Sequence, residues 1–349
     1  MWKCNCDKKV FLSLKTSVMQ KVKVGVIGAG SWATAIVKIL LNSVDNVHWW
    51  VREPEIAAHL REYGHNPRYL SSVEFDMQRL EVSHDLNQVL SRVDIPVFCV
   101  PSAYLTSALE GIDPSLLEGK PLVSAIKGIV PEENLIIADY FHKYYGTPYN
   151  QVVVVSGPSH AEEVAQEKLT YLTVASKERV NAAAVSGLFA CRYIKTSLSD
   201  DIFGTEYAPV LKNIIAIASG ICSGLGYGDN FQAVLISNAL QEINRFLEAI
   251  RPNNRDIKKS VYLGDLLVTC YSQFSRNRRY GHMLARGYSP GYAQMEMNMV
   301  VEGYYATKCI KEINGDYEVE MPVVDAVFDI LYNNVRPSEA IRQLEDCLS

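Results

Sequence analysis

The 349-residue sequence has no apolar run long enough to span a bilayer. Its most apolar uncharged stretch, residues 213–228, is short of the roughly 20 residues a spanning helix needs. Gly220, Gly224, Gly226 and Gly228 also interrupt it. A basic excess is missing too: 34 Lys and Arg stand against 39 Asp and Glu, a net charge of −5. Nucleic acids and anionic membranes select a concentrated basic stripe, so neither is expected as a partner. A small anion needs only two or three local cations and stays possible. Close-set cysteine pairs are likewise scarce. Of the eight cysteines only Cys4 and Cys6 are neighbours, and Cys99, Cys222 and Cys270 lie in apolar runs. That pattern excludes zinc knuckles and a short disulfide scaffold, and leaves buried free thiols in a reducing, cytoplasmic compartment with no metal. There is no internal repeat or low-complexity tract. The first residues carry Lys8 and Lys9, but the apolar run 10–14 is too short for a signal peptide and ends at Lys15. Residues 1–18 are therefore expected to be a disordered extension, with the working chain starting near Met19.

With 48% hydrophobic residues, there is enough apolar material for two domains. Up to about residue 197, β-branched runs at 22–27, 47–51, 95–100, 121–126, 151–155 and 170–175 end in Gly, Pro or Ser. Amphipathic stretches such as 32–41 and 55–63 separate several of them, as in a doubly wound parallel α/β sheet. Beyond 197–201 the apolar spacing becomes three to four. It predicts helices over 206–225, 229–250, 256–274, 290–314 and 322–333. The expected organisation is an α/β domain at 19–198 followed by an all-α domain at 199–349.

Gly28-Ala29-Gly30-Ser31-Trp32-Ala33 follows the first strand and opens the first helix. In that context Gly-x-Gly-x-x-Ala is a dinucleotide cradle. One glycine makes the tight turn, one lets a pyrophosphate approach the backbone, and the helix N-terminus supplies N–H donors. The second strand ends in Val51-Arg52-Glu53, where a carboxylate usually holds the ribose of NAD. Arg52 there suits a 2′-phosphate, which favours NADPH over NADH while leaving both open. Lys127 and Gly157-Pro158-Ser159 follow two further strands, at the sheet edge where ligands bind. Local sequence fits a solvated loop lysine at 127 equally well. Lys212 is more telling. It lies in APVLKNIIAIASG, apolar on nearly every face, where an unpaired ammonium is very costly and must face a cavity or an anion. Burial also draws a lysine towards proton-transfer range. Asp265 and Thr269 share one helix face. Ser275-Arg276-Asn277-Arg278-Arg279 reads either as an oxyanion site, guanidinium forks suiting phosphate, or as an exposed charged turn. Glu302, in an apolar turn, could meet a cofactor amide or a cation.

Together, GAGSWATA, NPRYL, SAIKG, GPSHAEEV, EYAPVLKNIIAIASGICSGLGYGDN, GDLLVTC, SRNRRYG and VVEG resemble the soluble bacterial-type NAD(P)-dependent glycerol-3-phosphate dehydrogenases over about residues 22–335. The resemblance implies a Rossmann-like domain followed by a helical domain like the C-terminal one of 6-phosphogluconate dehydrogenase. It also implies a homodimer. The implied reaction is reversible reduction of dihydroxyacetone phosphate to sn-glycerol 3-phosphate for glycerophospholipid synthesis. Lys212 would be the proton donor and acceptor, with Lys127 and Asp265 also catalytic. Lys127, Gly157, Ser159, Lys212, Asn213, Asp265, Thr269, Ser275, Arg276 and Asn277 would line the substrate site. Gly28, Gly30, Ser31, Trp32, Arg52, Lys127, Ala161, Arg276, Val300 and Glu302 would hold NADP or NAD. Three departures from the family pattern stand out: Ala33 for the Gly of GSWGTA, His160 for the Phe of GPSFA, and Ser71-Ser72 for Pro-Gly after NPRYL. None removes a proton-transfer or phosphate-binding group.

Overall fold

The computed structural model describes residues 22–297 and 299–349. The expected extension 1–18, the start near Met19, and Cys4 and Cys6 lie outside the described residues. Eight strands form one sheet in the order β3-β2-β1-β4-β5-β6-β7-β8. They are β1 (Val24–Ile27), β2 (Val47–Trp50), β3 (Leu80–Ser83), β4 (Ile95–Phe98), β5 (Leu122–Ser124), β6 (Val152–Ser156), β7 (Thr170–Ala175) and β8 (Ile194–Ser199). β1 pairs in parallel with both β2 and β4, Val24 facing Val47 on one side and Ile95 on the other. The first six strands all run parallel. β1, β2, β4 and β6 are buried throughout, which is why they read as continuous apolar runs. β7 then runs antiparallel to β6, and β8 parallel to β7. The expected doubly wound parallel sheet is present over β1–β6 and this reversal lies beyond it, while β3 and β8 are two strands the pattern did not reveal.

Helices cover both faces. Helix α1 (Ser31–Leu40) and the Pro54–Tyr63 and Arg179–Phe189 helices bury Ile36, Leu60 and Val185 in one core layer. The Leu86–Arg92 and Ile137–Tyr145 helices bury Leu90 and Phe141 in the other. Strand order reverses at the β1–β4 junction, and in such sheets the crevice at the strands' carboxyl ends is the ligand site.

The second half is built around helix α2 (Ile202–Leu225), twenty of whose 24 residues are buried. The Asp201 carboxylate caps it, accepting from Gly204 N at 3.0 Å, and Gly226 closes it in a left-handed conformation. By length and composition this helix could cross a membrane, but 83% of its most apolar window is buried inside the protein. Each fully buried Leu or Ile there contributes about 1.5–3 kcal/mol. Around it pack α3 (Asp229–Ile250), α4 (Asp265–Tyr271), α5 (Arg276–Ala285) and α6 (Glu302–Asn314), besides the Pro290–Glu296, Pro322–Tyr332 and Pro337–Glu345 helices. Gly220 on α2 and Gly281 on α5 meet each other's helix backbones at one crossing.

Two expected helices are corrected. The stretch 290–314 holds two helices, Pro290–Glu296 and Glu302–Asn314, and 256–274 contains only a π-turn at Ser260–Gly264 leading into α4. The buried Glu206 ties α2 to the sheet half by accepting from Ala138 N at 2.9 Å. Desolvation pushes its carboxyl up to about 8.

Candidate functional site

A cleft of about 580 Å³ opens at the carboxyl ends of β1, β4 and β5, with α2, α4, α5 and α6 forming its far wall. Its floor is the turn from β1 into α1. Gly28 there has φ 126°, and a Cβ would sit 3.0 Å from the Cys99 carbonyl carbon, so only glycine fits. At Gly30 a Cβ would meet nothing within 4 Å, because the backbone faces open cleft. No side chain caps α1, and its first N–H groups are left for a ligand's oxyanion. Asn66 braces the turn from behind. Its Nδ2 donates to Ala29 O at 2.9 Å and to Thr34 Oγ1 at 3.0 Å. At the mouth the exposed Arg52 lies over the Tyr104 ring, 5.7 Å from its centroid, and pairs with Glu53 at 3.4 Å.

Where the two halves meet, three charges share one place. Lys212, 5% exposed, projects from α2 and pairs with Asp265 Oδ1. Asp265, 1% exposed, opens α4 directly after the π-turn, an irregularity frequent at functional sites. Lys127 Nζ stands 3.7 Å from Asp265 Oδ2 and donates to Gly157 O at 2.8 Å and to Ser159 Oγ at 3.1 Å. Among the described residues the carboxylate has no neutral donor, and its partners are the two ammonium groups. Burial is the largest influence on Lys127 and draws it down to about 7. Asp265 opposes that and Lys212 reinforces it. Two cations on one anion leave this cluster locally positive, which suits a phosphate ester and a developing alkoxide.

Asn213, next to Lys212, donates from Nδ2 to Lys127 O at 3.0 Å, fixing the lysine loop against α2. The Thr269 hydroxyl donates to Asp265 O at 2.6 Å and so steadies the first turn of α4. Ser275 is the N-cap of α5, accepting from Arg278 N at 3.3 Å. The SRNRR cluster is therefore the start of a helix, not an exposed turn, and it presents Arg276 to the cleft. The amide oxygen of Asn277 accepts from Gly303 N at 3.0 Å, at the head of α6. Glu302, the first residue of α6, accepts from Ser102 N at 3.0 Å and from the Ser102 hydroxyl, clasping the loop after β4. Burial outweighs these bonds and holds its carboxyl above the usual range.

All the expected site residues except Gly28 and Gly157 line this cleft: Gly30, Ser31, Trp32, Arg52, Lys127, Ser159, Ala161, Lys212, Asn213, Asp265, Thr269, Ser275, Arg276, Asn277, Val300 and Glu302. Gly28 and Gly157 lie just beneath it, shaping the backbone. Sequence reasoning missed Asn66, Ser102 and Tyr104. Asn66 stood in a quoted motif, but the others carried no local signal.

The residues fit a dinucleotide on structural grounds. The uncapped α1 and the open face of Gly30 match a pyrophosphate, and among the described residues the buried Nε1 of Trp32 has no hydrogen-bond partner. Among the described residues, no group of three or more His, Cys, Asp or Glu is placed to hold a metal.

Comparison with known proteins agrees with this geometry. The family model described as NAD-dependent glycerol-3-phosphate dehydrogenase N-terminus matches residues 23–182, and its C-terminus counterpart matches 201–342. The glycerol-3-phosphate dehydrogenase [NAD(P)+] of Bacillus velezensis is 35% identical over 323 residues, 92% of this chain and 93% of the relative. That of Pediococcus pentosaceus is 36% identical over 326 residues, covering 92% and 96%. The crystal structure of glycerol-3-phosphate dehydrogenase from Coxiella burnetii superposes with a TM-score of 0.84 at 29% identity, covering 93% of this chain and 98% of that one. A ketopantoate reductase from Ralstonia eutropha shares the fold alone, at TM-score 0.59 and 16% identity. With its dinucleotide cradle, its lysine pair on a buried carboxylate and both halves matched, the chain belongs to the NAD(P)-dependent glycerol-3-phosphate dehydrogenase family.

Proposed function

We propose that Lys212 is the proton donor when this chain runs the reaction of its family, the NAD(P)H-linked reduction of dihydroxyacetone phosphate to sn-glycerol 3-phosphate. The observation that carries this reading is the convergence of Lys212 and Lys127 on the buried Asp265 in the inter-domain cleft. When bound, the reduced nicotinamide supplies the hydride that the C2 carbon receives.

The protein's own groups do the rest. Asp265 holds the Lys212 ammonium in one position, and Lys212 gives its proton to the C2 oxygen as negative charge develops. In the oxidative direction the neutral amine takes that proton back. Lys127, tethered to Gly157 and Ser159, adds a second positive centre beside the reacting oxygen, and Asn213 fixes its backbone. Arg276 at the head of α5 binds the phosphate as a planar fork. Gly30, Ser31 and the α1 N-terminus take the pyrophosphate. Trp32, Ala161, Val300 and Glu302 would hold the rest of the cofactor, and Arg52 would meet a 2′-phosphate, which favours NADPH.

On this reading the protein is a cytoplasmic homodimer supplying glycerophospholipid synthesis, which sedimentation and cell fractionation check. Steady-state turnover tests the chemistry. Dihydroxyacetone phosphate is reduced, whereas 3-hydroxyacyl and 6-phosphogluconate partners are not. Turnover of either of those with none of dihydroxyacetone phosphate contradicts the assignment.

A further inference from the structure

His160 follows Gly157-Pro158-Ser159 at the end of β6 and immediately precedes the Ala161–Ala165 helix, for which it is the N-cap residue. The residue lines the cleft, yet its Nε2 is shut off from solvent and, among the described residues, has no hydrogen-bond partner. A buried polar atom left this way costs free energy until something pairs with it. The ring lies against Phe274, centroids 6.0 Å apart, on the loop joining α4 to α5. Phe274 is 46% exposed, and such a loop side chain turns at little cost, so it is no barrier to a ligand oxygen.

The ring's surroundings set its charge. Burial, then the ammonium groups of Lys127 and Lys212, hold it below the usual histidine range. The Val268 backbone and the Glu162 carboxylate work against them. It is therefore a neutral group among cations. The substrate of the proposed reaction has three polar parts. Its ketone oxygen needs a proton, which Lys212 provides, and its phosphate needs cations, which Arg276 provides. The third part, the free hydroxyl on C1, is neutral and both donates and accepts. That matches a neutral imidazole nitrogen in either tautomer.

We propose that His160 is a substrate-specificity residue whose Nε2 hydrogen-bonds the free C1 hydroxyl of the three-carbon phosphate ester. The assignment rests on the reaction proposed above. It gives a polar role to the position where the resembled pattern GPSFA carries Phe, a side chain unable to make this bond.

The test compares kcat/KM for dihydroxyacetone phosphate with that for hydroxyacetone phosphate, which keeps the ketone and the phosphate but lacks the C1 hydroxyl. In the wild type the ratio favours dihydroxyacetone phosphate. His160→Phe lowers the ratio about tenfold, the scale of one neutral hydrogen bond, by slowing only the hydroxylated substrate. His160→Gln, which can still reach a hydroxyl, regains part of it. An unchanged ratio overturns the assignment alone. So does an equal loss for both substrates, the mark of a purely structural role. A wild type inert toward dihydroxyacetone phosphate overturns the reaction and the assignment together.

Discussion

Replacing Asp265 by Asn keeps the shape of the buried carboxylate and removes its charge, and the consequence for Lys127 can be worked from one distance. At 3.7 Å and an effective dielectric of about 20, the Lys127–Asp265 attraction amounts to about 4.5 kcal/mol. At 1.36 kcal/mol per factor of ten, losing it weakens proton binding at Lys127 about a thousandfold. In the wild type this lysine already sits near 7, charged below that pH and neutral above it. The Asp265→Asn variant therefore carries a neutral Lys127 throughout pH 6–9, and its Lys212 loses the anion that positions it. The assay is kcat/KM for dihydroxyacetone phosphate against pH, which reports groups of the free enzyme. The wild type falls as pH rises through about 7, because the substrate's phosphate dianion then meets one cation fewer. Lys127→Met lacks that falling limb. Asp265→Asn lacks it too and runs about 100- to 1,000-fold below the wild type at pH 7. A wild-type profile flat from pH 6.5 to 8.5 refutes the reasoning, as does a Lys127→Met variant with the same limb.

Other outcomes follow from the same geometry. Gly303→Ala drives a Cβ to 2.6 Å from Asn213 O, beside Lys212, and costs about 1–3 kcal/mol of stability in urea unfolding; an unmoved midpoint contradicts the close helix contact. Arg52→Asp lowers the NADPH:NADH ratio of kcat/KM at least about tenfold, and an unchanged ratio means that Arg52 does not face the 2′-phosphate. Arg276→Lys replaces a planar fork by a point charge and raises KM for dihydroxyacetone phosphate about tenfold with a smaller change in kcat; an unaltered KM removes Arg276 from the phosphate site.

Much of this was legible in the sequence because burial leaves a mark. β1, β4 and β6 are apolar on both faces, and Lys212 in α2 stood out as a charge with no wet face to reach. The strands that escaped notice are edges. In β3 and β8 only Leu80 and Ile194 are buried, so their LEVS and IKTSLS runs read as loop. The reversal at β7 is set by which end of the strand its connections reach, and a two-residue period looks the same in either direction. Helix α5 begins in the basic run Arg276-Asn277-Arg278-Arg279, which hid its buried face of Asn277, Tyr280, Gly281 and Leu284. Contacts far apart in sequence left no trace: Asn66 steadies a turn 37 residues away, and Ser102 meets Glu302 across 200. Of the motif residues, Lys212 stood out by its apolar surroundings, whereas Lys127 and Arg276 read equally well as surface charges until the family resemblance was weighed.

The central claim, that Lys212 moves the proton, rests on a side chain that should matter to chemistry and hardly at all to the dinucleotide. Lys212→Ala, assayed for kcat with dihydroxyacetone phosphate and for NADPH affinity by fluorescence titration, separates the two. The account predicts a loss in kcat of at least about 100-fold with NADPH affinity within about twofold of the wild type. A variant turning over at near wild-type rate contradicts it.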